Sequence, residues 1–206
     1  MHAVAPADLQ QTDTYFVVAH FHYVLFGGSI FALVAGAYYW WPKMFGSMLD
    51  EGLGKVHFWM MLAGFNLTFF PMHFAGLLGM PRRIYTYPAG LGFELYNMMA
   101  TVGSFLLGAS FLVFIWNVIK TSRAAVPAPA DPWGGATLEW AIPSPPQEFN
   151  FPELITVHEK DPLWDMKRDA GVARLPEPTL VSGKGIHMPG PSWWPLVVAV
   201  GILVFF

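Results

Sequence analysis

Apolar positions in this chain gather into three long runs with short polar links, followed by a polar tail and one last apolar run. The first run, 16–41, contains no Asp, Glu, Lys or Arg and is interrupted by His20 and His22. About 20 consecutive apolar residues cover the hydrocarbon core of a bilayer, so this pattern predicts a membrane-spanning helix over 13–41. Thr12 or Asp13 is its expected N-cap, and Trp40, Trp41 and Pro42 close it at an interface. A second span is predicted over 55–78, carrying His57, Asn66, Thr68 and His73, with a kink expected at Pro71. A third is predicted over 93–119, opened by Glu94 and Asn97 and followed by Lys120 and Arg123, charges that suit both ends of the helix dipole. From 124 to 191 Pro, Asp, Glu, Lys and Gly accumulate and apolar periodicity fades, which predicts an extended linker. The run 193–206 is apolar throughout, yet 14 residues are too few to cross a bilayer, so it reads as the start of a fourth, truncated helix. The expected fold class is therefore an all-α membrane protein with three transmembrane helices plus that truncated fourth.

Charge sets the expected topology. Lys43, Lys55, Lys120 and Arg123 share one side of the membrane, which the positive-inside rule makes cytoplasmic, together with 124–191. The N-terminus, Asp13, Arg82 and Arg83 then face outward. Counting from Asp13 at 1.5 Å per residue, His20 and His22 lie about 10 to 14 Å deep from that outer face.

Composition agrees with the pattern: 54% of residues are hydrophobic and 12% charged, with a mean hydropathy of +0.43. Such a chain is expected to be integral to a lipid bilayer. The absence of cysteine excludes thiolate metal sites and iron–sulfur clusters, leaving nitrogen and oxygen ligands. A net charge of −3 gives no reason to expect nucleic acid as a partner. Residues 1–11 hold neither a basic stretch nor an apolar core, so no signal peptide is expected, and Met1 need not be a true start.

His20 and His22 carry the candidate chemistry. Side chains two positions apart on an α-helix diverge by about 200°, so the two rings cannot easily share one metal but can each serve a different cofactor. Neutral imidazole is the usual haem iron ligand, and opposite faces would allow a haem on each side of the helix. Arg82 and Arg83 read either as snorkelling interfacial residues or as planar forks for haem propionates. Asp13 reads either as a helix cap or as a hard oxygen ligand for Mg²⁺. His57 and His73 read as structural hydrogen-bonding residues. A transporter bundle, with histidines that only hydrogen-bond or relay protons, and a non-enzymatic di-haem electron-transfer cytochrome are the alternatives.

The runs DTYFVVAHFHYVLFGGSIFALVAGAYYWWPKMFG and GKVHFWMMLAGFNLTFFPMHFAGLLGMPRRIYTYP, with LEWAIPSPPQEFNFPEL further on, resemble the C-terminal helices of subunit I of haem–copper cytochrome c oxidases. The resemblance implies a place for 1–123 within a bundle of twelve or more helices, beginning just before the tenth. It implies that 124–191 is a cytoplasmic linker and that 192–206 begins an additional, subunit III-like helix. By the same resemblance His20 is the axial ligand of the high-spin haem where O₂ is reduced and His22 a ligand of the low-spin haem. Phe21 lies between the two, Arg82 and Arg83 hold haem propionates, and Asp13 matches a Mg²⁺ ligand, although Thr12 stands where the family often has histidine. The implied activity is that of a terminal respiratory oxidase: electrons from cytochrome c reduce O₂ to water, coupled to proton pumping. A quinol oxidase of the same superfamily is the alternative. The implied cofactors are two haems of the a type, with copper held by ligands outside this chain. The implied partners are the rest of subunit I, subunits II and III, and the lipid of a bacterial cell membrane. Lacking the copper ligands, the chain alone is expected to bind little haem and to be inactive.

Overall fold

The computed structural model describes residues 3–124, 126–149, 151, 155–180, 190 and 192–205. It divides into two compact units, Met1–Ala128 and Pro129–Phe206.

The first unit holds three helices long and apolar enough to cross a membrane: Tyr15–Phe45 (31 residues), Glu51–Leu77 (27 residues) and Glu94–Ala124 (31 residues). At 1.5 Å per residue even the 27-residue helix reaches about 40 Å, more than the roughly 30 Å hydrocarbon core. A short helix α1 (Ala5–Gln11) precedes them. The first span is composite. It begins as α2 (Tyr15–Phe21), widens into a π-helix over His22–Ile30 and returns to α3 (Phe31–Phe45). Its cap is Thr14, whose hydroxyl accepts from the Phe16 N–H at 3.2 Å, one residue beyond the expected Thr12 or Asp13. Asp13 cannot take that role because its backbone lies at φ 56°, in the left-handed turn between α1 and α2. At the other end Gly46, at φ 67°, closes α3.

The second span, α4 (Glu51–Leu77), starts four residues earlier than the apolar pattern indicates, because Asp50 caps it through the Leu53 N–H at 2.9 Å. It continues through Pro71 as one helix. The third span, α5 (Glu94–Ala124), runs five residues past its expected end and takes in Lys120 and Arg123. The two helices meet almost backbone to backbone. A Cβ on Gly103 would stand 2.4 Å from the Thr68 nitrogen, and one on Gly64 would stand 2.6 Å from that of Leu107, the close approach that small residues allow between membrane helices. At one end of the pair the Asn117 amide accepts from the Asp50 N–H and donates to the Asp50 carbonyl, both at 2.9 Å. Lys120 bonds the same aspartate's carboxylate at 2.6 Å and, with the Leu53 N–H, holds its pKa below the ordinary value.

The second unit departs from the extended linker expected for 124–191. Residues 181–189 and 191 of that stretch lie outside the described residues; before them the chain folds around Trp140 and Leu163, each 1% exposed. Leu138–Ala141 forms a 3₁₀ turn and α6 (Pro162–Ala170) a true helix. The sequence carries the helix signals: Pro162 in the first turn, Asp165 near the N-terminus, Lys167 and Arg168 near the C-terminus, and Gly171 at φ 66° just past it. Within this unit Lys167 bonds the Asp131 carboxylate at 2.5 Å and the Gly135 carbonyl at 2.7 Å, with both charged side chains nearly buried. The apolar run near the chain's end forms α7 (Trp194–Phe205), exposed along its length.

The buried pair makes the fold of 129–178 sensitive to single-sided substitution. Desolvation pushes the Asp131 carboxyl upward, but hydrogen bonds from Lys167 and the Gly135 N–H and the attraction of the ammonium hold it below its usual value. A carboxylate depressed on folding contributes stability above its unfolded pKa and loses it as pH falls through the folded one. Lys167→Met is expected to destabilise this unit by about 3–5 kcal/mol by leaving Asp131 buried and unpaired. Limited proteolysis of the intact chain should show 129–178 opening in that variant at neutral pH, and in the unsubstituted chain only on the acid side of the ordinary carboxylate range.

Candidate functional site

The candidate residues lie along the first half of the first span and at the loop after α4. Phe16 and Ala19 are the buried positions of α2. Phe16 rests against α4 so closely that a Cβ on Gly76 would stand 2.0 Å from its backbone nitrogen. Beyond Gly76 the chain turns back onto the start of α2. The Tyr15 N–H donates to the Met80 carbonyl at 2.9 Å, the Arg82 N–H donates to the Asp13 carbonyl at 2.8 Å, and Thr14 forms an isolated bridge with Pro81. Met80, Ala75 and Phe93 form a small buried cluster beneath this crossing, packed by Tyr15, Ile84, Tyr87 and Tyr96.

Side chains tighten the same crossing. Arg82 donates from Nε to Asp13 Oδ1 at 2.7 Å, and a terminal nitrogen of its guanidinium contacts the same oxygen. Asp13 and Arg83 are the two non-glycine residues described with left-handed backbone, at φ 56° and 65°. Sequence order therefore hides two differences: Arg82 is turned onto Asp13, whereas the neighbouring Arg83 is exposed.

His22 occupies the first position of the π-helix. Its Nδ1 lies 2.8 Å from the Val18 carbonyl. A carbonyl only accepts, so in the neutral ring Nδ1 carries the hydrogen and the lone pair belongs to Nε2. Its ring stacks on Phe69 of α4, with centroids 4.2 Å apart and planes 14° apart, and touches Phe21 at 4.4 Å. His22 therefore faces α4, and helical rotation carries the half-buried His20 about 200° away. Sequence reasoning did not single out Val18 or Phe69. Val18 acts through its main chain, and Phe69 is one aromatic among many.

The remaining histidines sit apart from this site. His73 packs against Phe16 at 5.0 Å and Tyr23 at 5.5 Å, and its Nδ1 lies 3.2 Å from the Phe70 carbonyl. His57 is 1% exposed and shares a hydrogen bond of 3.1 Å with the Tyr38 hydroxyl. Among the described residues no three His, Asp or Glu side chains converge as a ready-made metal cage.

Comparison with known proteins matches residues 1–106 to the family model described as cytochrome c and quinol oxidase polypeptide I. Cytochrome c oxidase subunit 1 of Bacillus sp. (strain PS3) is 48% identical over 205 residues, covering 99% of this chain and 33% of that protein. The subunit of the same name from Bacillus subtilis (strain 168) is 48% identical over 206 residues, covering 99% and 32%. That from Corynebacterium diphtheriae is 48% identical over 177 residues, covering 85% and 31%. The chain thus spans about a third of the length of the curated relatives it matches.

The Asp13–Arg82 crossing separates charge from backbone strain. Asp13→Asn keeps a residue tolerant of left-handed geometry and is expected to cost under about 1 kcal/mol, in keeping with a partly exposed ion pair. Asp13→Ala adds the left-handed penalty of about 1–2 kcal/mol. Thermal unfolding of the detergent-solubilised protein should rank the alanine variant below the asparagine one.

Proposed function

The chain belongs to the cytochrome c and quinol oxidase polypeptide I family, and from that premise we propose that it is the C-terminal third of the catalytic subunit of a terminal respiratory oxidase, carrying one axial ligand for each of two haems. In the intact complex the reaction is reduction of O₂ to water by cytochrome c, coupled to proton pumping. The named relatives favour cytochrome c over quinol as donor, since each is a cytochrome c oxidase subunit by name. The cell membrane is the proposed location, with the N-terminus outside and 124–191 on the cytoplasmic side. Subunits II and III and the rest of subunit I are the proposed partners, and 192–206 is the proposed start of an additional, subunit III-like helix.

The observation that carries this reading is the hydrogen bond from His22 Nδ1 to the Val18 carbonyl. Metal-ligating histidines characteristically donate their second ring hydrogen to a carbonyl or carboxylate, which fixes the tautomer, orients the ring and raises the basicity of the ligating nitrogen. His22 has that arrangement, and its stack on Phe69 limits ring rotation. We assign His22 to the low-spin haem and His20, on the other side of the helix, to the high-spin haem and to catalysis. The haems supply electron transfer and O₂ chemistry. Phe21 stands between the two histidines in the chain and against the His22 ring, filling the space between the cofactors with an apolar side chain that excludes water.

Arg82 and Arg83 offer guanidinium forks to propionate carboxylates at the outer end of the site. Arg82 is already oriented by Asp13, whereas Arg83 is presented outward. This gives Asp13 a task of its own, holding Arg82 in place. The residues present do not by themselves make a Mg²⁺ site, because Asp13 Oδ1 is engaged by Arg82 and Thr12 precedes it where a second donor would be needed. Copper is assigned to ligands outside this chain.

In the purified oxidase complex His22→Ala is expected to abolish the low-spin haem signal and His20→Ala the high-spin signal, read in optical and electron paramagnetic resonance spectra. Loss of the same haem in both variants would overturn the assignment. Turnover with reduced cytochrome c but not with a quinol decides the donor.

A further inference from the structure

Asn66 lies in the interior of α4, 15 residues after Glu51 and 11 before Leu77, which places it at least about 16 Å from either helix end. Its side chain is exposed on the surface of the three-span unit. Oδ1 accepts from the Tyr23 hydroxyl at 2.7 Å, and Nδ2 donates to the Leu62 carbonyl at 2.9 Å. An asparagine amide has two N–H donors, and among the described residues the second has no acceptor. Lipid tails offer none.

Other exposed polar groups at this depth do not share the problem. Thr101 and Ser104 on α5 return their hydroxyls to their own helix, at the carbonyls of Asn97 and Thr101, 2.8 and 2.7 Å away. The outer face of α5 is otherwise apolar, with Phe105 and Leu112 well exposed, as suits contact with lipid. Asn66 instead opens into a groove of about 500 Å³ between α4 and α5, floored by Ala63, Leu67, Phe70 and Met99.

We infer that the α4–α5 groove around Asn66 is a helix-docking surface, filled in the intact subunit by a transmembrane helix of the same polypeptide that presents a hydrogen-bond acceptor to Asn66 near mid-membrane. The relatives are about three times as long as the matched chain, so the same polypeptide supplies further spans, and a tethered helix reaches the groove at high effective concentration. Tyr23 and Asn66 act as a pair: the tyrosine holds the amide oxygen, which turns the amide nitrogen toward the groove. The inference rests on the family and on the bilayer placement, not on the haem assignments.

The test introduces a photo-crosslinking phenylalanine derivative at position 66, and separately at Phe105, in the full-length subunit within the membrane-embedded complex. Irradiation should join position 66 to a peptide of the same polypeptide upstream of this region, identified by mass spectrometry, and position 105 to lipid. Lipid adducts at 66, or adducts to another subunit or to a prosthetic group, would overturn the proposal. Because a bulky side chain at 66 can impair assembly, Asn66→Cys carrying a nitroxide gives a second reading. Low accessibility to dissolved oxygen relative to Phe105→Cys supports helix cover, and equal accessibility overturns it. Haem spectra recorded on the same samples report the ligand assignments separately.

Discussion

Every polar group within the hydrocarbon layer must find a partner inside the protein, and the three-span unit is arranged under that constraint. Thr68 and Ser110 return their hydroxyls to carbonyls of their own helices, at 2.7 and 2.6 Å. The histidines obey the same rule with ring nitrogens in place of hydroxyls. His22 hands its Nδ1 hydrogen to the Val18 carbonyl, and His57 shares one nitrogen with Tyr38. What distinguishes His22 is that satisfying one nitrogen leaves the other defined as a lone-pair donor. The requirement that makes a histidine tolerable in a membrane also prepares it as a ligand.

The ends of the unit use a different currency, charge in contact with water. At one end Asp13 and Arg82 tie the start of α2 to the loop after α4; at the other, Asp50, Asn117 and Lys120 tie the start of α4 to the last turns of α5. Each tie combines a main-chain contact with an ion pair, so the ion pair adjusts a junction that the backbone already defines. Between the ends, glycine contacts bring α4 against α5 and Phe16 against α4 with little room for sliding. The candidate ligands are thus carried by a helix fixed at its outer end and packed along one side.

Much of this was legible in the residues. Three uncharged runs of sufficient length gave the three spans, and the two-residue spacing of His20 and His22 gave two opposed faces. Helix ends were less legible: the start of α4 depended on Asp50 as a cap and that of α2 on Thr14, because Asp13 takes a left-handed turn visible only once the crossing with 79–83 forms. The π-helix over His22–Ile30 has no periodic signature, since its glycines and aromatics fit either winding. The pairing of Arg82 with Asp13 joins residues 69 positions apart. The fold of 129–178 was missed for a different reason. Its core is a few side chains such as Trp140 and Leu163 set among prolines and charges, too sparse to register as an apolar period.

The hydrogen bond from His22 ends on a main-chain oxygen, which has an evolutionary consequence. No substitution at position 18 that preserves the helix removes the acceptor, so the side chain there can follow the demands of packing or lipid while the tautomer at position 22 is passed on unchanged. The ligand's chemistry is inherited with the helix itself and does not depend on a second residue having to vary in step with it.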